Sequence, residues 1–184
     1  MLFRSVNIPV VYDYIERCTR GMFASKISTF DPTTKRYVTK LYDMVDTFPD
    51  QKHLNVYPLA SNKSIYRYST YMSYMSKYTG NFTGYGDVTN ANTLQNRLSL
   101  LAQIDANKLE ITVPGRLDYT VGLKVRLKFY KIQPANKDDS DVIDNILSGD
   151  YIIAAINHYI SRNLHECTIE VVKESILLDL DRNK

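Results

Sequence analysis

The sequence predicts a mainly β protein with some helix, of the α+β class. An antiparallel β-barrel or sheet domain is flanked by an amphipathic helix, and a smaller α/β part lies N-terminal to it. Three observations in the last half of the chain carry this. The run Lys108 to Val113 alternates apolar and polar residues before Pro114 and Gly115 break it. A second run puts Val121, Leu123, Val125, Leu127 and Phe129 on one face and Lys124, Arg126 and Lys128 on the other. Two further strand patterns begin at Gly149 and at Cys167, so the segment reads as two consecutive β-hairpins entered from a helix.

That helix is predicted over residues 90–106. Leu94, Leu98, Leu101 and Ile104 recur at helical spacing and form the expected core stripe, and Asn90, Asn92 or Thr93 can cap its start. Upstream, residues 10–21 read as a short helix with Pro9 before it and Gly21 closing it. Residues 22–30 and 35–48 read as extended runs joined by a turn at 31–34, a hairpin whose second arm also fits a helix. Between residues 49 and 87 the periodicity weakens. Tyr66, Tyr68, Tyr71, Tyr74 and Tyr78 fit partly a helical and partly a strand pattern, and are read as an interface in an irregular connector. Residues 134–144 form a polar, acidic surface loop, and there is no internal repeat. The expected domains are 1–87 and 88–184.

Composition bounds the function. A chain of 184 residues, 44% hydrophobic and 23% charged, can form one ordinary domain or two small ones and is not disordered. The net charge of +3 is too slight to make nucleic acid the main partner. Fifteen tyrosines and no tryptophan suit strands and interfaces. Two cysteines, Cys18 and Cys167, are not a disulfide framework and point to a reducing compartment. No apolar run approaches the roughly 20 residues that cross a bilayer, and the N-terminus lacks a signal-peptide core, so a cytosolic product is expected and no membrane.

The search for chemistry returns little. Phosphate-loop, dinucleotide, nucleophile-elbow and zincin motifs are absent. The acidic stretch 138–144 fails the EF-hand template, because Ile143 stands at a ligand position and no glycine follows. His158 and His165 flank the turn 161–164 and could face each other across a hairpin, with Cys167 as a third donor. The ordinary reading, two surface histidines on hairpin strands, is preferred to a metal hydrolase, so no catalytic residue, metal or cofactor is expected. The one charge pattern with functional meaning is Lys124, Arg126 and Lys128, with Arg116 in the preceding turn. It is read as a partner- or lumen-facing row, or as a solvent face that discourages stray strand pairing.

Taken in order, several segments resemble one family. They are the helix from Asn92 to Gln103, the runs Glu110 to Gly115 and Tyr119 to Leu127, then Ser148 to Ile160 and the closing strand His165 to Val171. Together they resemble the C-terminal tube-type domain of baseplate hub proteins from contractile-tailed bacteriophages, which share their architecture with late-control and type VI spike proteins. Gly21 to Pro32 is similar to a hub segment upstream of that domain. The resemblance implies a tube-type β-domain in a structural protein of the virion, assembled in the host cytoplasm. It implies a ring of copies of the chain, a trimer in the family, between the tail tube and the central spike, with DNA only as passing cargo. Hub subunits carry two tube-like domains and this sequence shows one. A fragment, a split gene and a different oligomer all fit that departure. The alternative function is a small β-barrel that holds nucleic acid on the basic strand face.

Overall fold

The computed structural model describes residues 4–9, 13–31, 35–60, 70–75, 93–131 and 143–180, with only the backbone of Asp31, Arg36 and 70–75. Among the described residues it is mainly β with few helices, which agrees with the mainly β expectation. Contacts divide the chain into two units that interleave along the sequence instead of meeting once near residue 87: 1–12, 53–59 and 104–184 in one, 13–52 and 60–103 in the other.

The first unit is a curled antiparallel half-barrel sheet. Its strands are β1 (Ser5–Asn7), β6 (Lys108–Pro114), β7 (Lys124–Leu127), β8 (Gly149–Ile160) and β9 (His165–Val172), in the spatial order β1-β6-β9-β8-β7. All neighbours run antiparallel. Period-two alternation sends one row from each strand inward. Leu109, Ile111 and Val113 meet Val171, Ile169 and Cys167 directly across β6 and β9, and Tyr151, Ile153 and Leu127 complete the buried cluster.

The second expected hairpin, β8 to β9, is present. The first is not, because β6 and β7 do not pair. The edge of β6 that a hairpin would use is taken by β1, with Val6 opposite Ile111 and the Arg4 amide donating to the Thr112 carbonyl at 2.7 Å. Residues 115–123 therefore form an exposed connection across to β7. The expected apolar row of β7 is correspondingly short. Val125 and Leu127 face the core, whereas Val121 and Leu123 precede the strand and are exposed.

A buried polar clamp fixes the start of β8. Asn55 lies just before β4 (Tyr57–Pro58), which pairs with β10 (Ser175–Ile176). Its side-chain amide donates to the carbonyls of Asp150 and Ser175, both at 3.0 Å, and its Oδ1 accepts from the Asp150 amide at 2.8 Å. Gly149 stands at φ +137°, and a Cβ there would lie 2.6 Å from Asn55 Oδ1, so both backbone and space demand glycine. Nearby, the buried Lys173 donates to the carbonyls of Ile146, Leu147 and Ser148 and sits 4.7 Å from the Tyr151 ring centroid. Burial pulls its pKa down to about 8. These bonds hold the turn that leads into β8, and residues 134–142 of the predicted acidic loop lie outside the described residues.

The second unit contains α1 (Tyr14–Thr19), β2 (Ala24–Asp31), β3 (Arg36–Asp43), α2 (Met44–Thr47), β5 (Thr70–Met75) and most of α3 (Leu94–Ala106). The predicted first helix starts later than read, because Asp13 caps it by accepting from the Ile15 and Glu16 amides. The hairpin β2–β3 forms as expected, Ala24 facing Asp43 and Phe30 facing Tyr37, and its second arm ends in α2. β5 then pairs parallel to β2, so residues 70–75 of the supposed irregular connector, with Tyr71 and Tyr74, are strand. Tyr66, Tyr68 and Tyr78 lie outside the described residues.

The helix stripe needs correction. Leu94, Leu98 and Ile104 are half-buried and Leu101 is 52% exposed, while Gln95, Ser99, Ala102, Gln103 and Ala106 are buried. The buried face is polar because it meets backbone acceptors. Gln95 Nε2 donates to the Ser25 carbonyl at 3.0 Å, Ser99 Oγ donates to the Met22 carbonyl, and Gln103 Nε2 donates to Ser99 Oγ at 3.0 Å. A leucine count sees the apolar flanks of this face but not its centre.

Two substitutions separate the clamp from the stripe. Asn55→Ala strands three buried backbone groups and should lower unfolding free energy by about 2–3 kcal/mol in urea titration. Leu101→Asp should change it by less than about 0.5 kcal/mol; a loss of several kcal/mol would restore the leucine face as the core.

Candidate functional site: the β8–β9 hairpin and its charged flank

Arg126 lies directly opposite Asp150 across β7 and β8, and Lys124 is its diagonal neighbour. The guanidinium meets the carboxylate through both forks, Nε to Oδ1 at 2.6 Å and Nη2 to Oδ2 at 3.0 Å, and Lys124 Nζ reaches Oδ2 at 2.7 Å. Asp150 is almost fully buried while both cations keep more than half their side-chain surface in water. Hydrogen bonding from Arg126 foremost, then Lys124, holds the Asp150 pKa down to about 2 against the opposing effect of burial. Arg116 belongs to a separate exposed pair, its Nε and Nη2 donating to Asp118 at 2.9 and 2.5 Å, with the guanidinium 5.7 Å from the Tyr119 ring centroid.

The expected row of four cations is therefore not one surface. Lys124 and Arg126 share an acid, Arg116 has its own, and Lys128 is exposed beyond the strand with no ion-pair partner among the described residues. Arg126 and Lys128 do flank a cleft of about 470 Å³ that Asn55, Ser148 and Asp150 also line. Asp150 escaped the sequence reading because about twenty residues separate it from β7, and only the register brings it opposite Arg126.

β8 runs on past β7, while β9 keeps β6 beside it as far as Glu166. β9 is paired on both sides, by β6 and by β8, but β8 meets β7 only over Gly149 to Ile152. The Ile153 amide and carbonyl still bond to the backbone of Leu123 and Gly122. From Ala154 to Ile160 the outer edge of β8 has no strand partner among the described residues. This stretch carries no Lys, Arg, Asp, Glu or Pro, and ends in Tyr159 and Ile160, 62% and 67% exposed.

A bulge in β8 sets which side chains meet β9. Ile153 faces Val171, but one residue is then inserted, so Ala155 faces Glu170 and Ile156 faces Ile169. Unbroken alternation would put Asn157 opposite Cys167; the bulge puts His158 there. His165, two residues before Cys167, shares its face. The result is the trio the sequence hinted at: His158 Nδ1 is 3.2 Å from His165 Nε2 and 3.1 Å from Cys167 Sγ, and His165 Nε2 is 3.9 Å from that sulfur. Cys167 is fully buried, His165 half-buried and His158 exposed. The imidazole of His165 lodges against Gly115, where a Cβ would come within 2.1 Å of its Cγ, and the Gly115 amide donates to the His165 carbonyl at 2.8 Å. Cys18, the other thiol, is in α1 and takes no part.

The Asp150 cluster makes a pH-dependent contribution. Its folded pKa of about 2 lies below the ordinary value near 3.9, so the stabilisation is complete above about pH 4 and lost as the pH falls toward 2. With the cations exposed, its size should be about 1–2 kcal/mol. Urea midpoints at pH 5 and pH 2.5 should fall further for the parent chain than for Asp150→Asn, and equal falls would refute it. No protein-family model and no curated protein matches this chain.

Proposed function

We propose that the chain is a structural assembly protein whose β8 edge receives a strand from a neighbouring subunit, in a ring of the baseplate-hub kind. The carrying observation is that edge, seven residues from Ala154 to Ile160 with no partner strand among the described residues and without a charge or proline. An open edge of this composition invites pairing unless it is covered, and proteins that leave an edge exposed blunt it with lysines, prolines or short strands. A heterologous contact repeated from copy to copy closes a ring. The curled antiparallel sheet is compatible with a tube wall, and the ordered resemblance of its segments to hub tube-type domains supplies the specific context. A tail tube above, a central spike below and a location in the virion belong to that context and stand or fall with it. The nucleic-acid alternative has weaker support, because Lys124 and Arg126 already share Asp150 and Arg116 is paired with Asp118.

Native mass spectrometry of the full chain tests this. A closed oligomer is expected, and Ala155→Glu combined with Tyr159→Glu should shift it to monomer while changing unfolding free energy by less than about 1 kcal/mol. A parent chain that stays monomeric at high micromolar concentration, or a double variant that assembles as before, overturns the reading.

A further inference from the structure

We infer that His158, His165 and Cys167 form a zinc site near the turn of the β8–β9 hairpin, beside the end of β6. Among the described residues this is the one group of three metal-ligating side chains whose donor atoms converge, all within 4.8 Å of one another. The spacing is that of a ligand set. A tetrahedral zinc with bonds of about 2.0–2.1 Å to nitrogen and about 2.3 Å to sulfur holds its nitrogens about 3.3 Å apart and each nitrogen about 3.6 Å from sulfur. The observed separations are 3.2 Å for the nitrogens and 3.1 and 3.9 Å to the sulfur. Two imidazoles and one thiolate suit zinc among the common divalent ions, whereas magnesium and calcium require oxygen donors.

Three features show that the site is built by the fold. The bulge between Ile153 and Ala155 turns His158 instead of Asn157 toward Cys167, and bulges are used to re-aim side chains next to functional sites. Gly115 leaves the room that the His165 ring occupies, and no larger residue could stand there without moving the imidazole. The thiol of Cys167 is shut away from solvent by the core row of β6 and β9, with the Arg116 carbonyl 3.7 Å away, so a metal on it can be approached only from the histidine side. No carboxylate belongs to the group. With one thiolate and two neutral imidazoles the bound ion keeps a net charge of +1. Its fourth position opens beside the exposed His158, where water completes the tetrahedron. Such an ion would tie the two strands together where β7 no longer flanks β8, which concerns the rigidity of the hairpin and does not depend on whether the β8 edge assembles.

The test uses the whole chain, stripped with chelator, loaded with zinc chloride and freed of excess. One zinc per chain is expected by elemental analysis, and cobalt(II) in its place should give a thiolate-to-metal absorption band with tetrahedral visible bands. His158→Asn, an exposed change that leaves the core untouched, should weaken zinc binding by at least about tenfold and diminish the visible bands. Cys167→Ser should abolish the thiolate band, and Cys18→Ser should change nothing. Should Cys167→Ser fail to fold, His158→Asn still decides the matter. Less than about a tenth of a zinc per chain, or undiminished affinity in folded His158→Asn, would mean that the trio is only hydrogen-bonded.

Discussion

The register of β9 is the constraint on which the five-stranded unit depends. It is the central strand, paired along its whole length by β6 and by β8, and its inward row of Cys167, Ile169 and Val171 is completely buried. A slip of one residue would exchange that row for Glu166, Thr168 and Glu170, which the core could not accept. With β9 pinned, Ile111 and Val113 must face Ile169 and Cys167, and β1 pairs along the far side of β6. The hydrophobic effect thus fixes the register, and the hydrogen-bond ladders follow it.

β8 obeys a second constraint that conflicts with strict alternation. Its first residues are held by Asn55 and by the Arg126 pairing to Asp150, and they must also send Tyr151 and Ile153 into the core. Beyond Ile153, continued alternation would place Asn157 inward and leave Ile156 on the outer face. One inserted residue resolves this by moving Ile156 opposite Ile169 and His158 opposite Cys167. An unpaired ladder position is the local cost, and it falls where β8 has just lost β7 as a neighbour. The bulge and the histidine–cysteine trio are therefore consequences of one geometric event, which falls just after β7 ends.

How much of this was legible follows from the range of each interaction. Alternation in 108–113 and 165–171 marked β6 and β9, and the turn at 161–164 marked their connection to β8, because these patterns are local. The nearness of His158 to His165 was legible for the same reason. The failed β6–β7 hairpin was not, since only β1, a hundred residues away in sequence, decides which edge of β6 is free. Asp150 and Asn55 were missed alike: a buried polar residue acquires meaning from partners 24 and 95 residues distant. The leucine stripe of α3 misled because amphipathic counting credits apolar residues alone. Gln95 and Ser99 are buried there by hydrogen bonds to carbonyls and Gln103 by one to the Ser99 hydroxyl, which no hydropathy pattern encodes.

The charge pattern of the same sheet separates the part of β8 that is finished from the part that is not. Over Gly149 to Ile152 the strand has β7 beside it, and the only carboxylate there is neutralised by two cations. Lys124 and Arg126 leave one positive charge over, directed into solvent, which suits an edge meant to stay single. Along the next seven residues that protection disappears. Alanine, isoleucine, asparagine, histidine and tyrosine follow with no charge and no proline, although β7 has ended and water reaches Tyr159 and Ile160. Left uncovered, such a stretch costs solubility and provokes aggregation. A subunit that hands this edge to a neighbour gains a ladder of main-chain hydrogen bonds and hides both side chains. The contrast between the two halves of one strand, flanked first by a charged β7 and then by no strand among the described residues, is what the assembly proposal rests on.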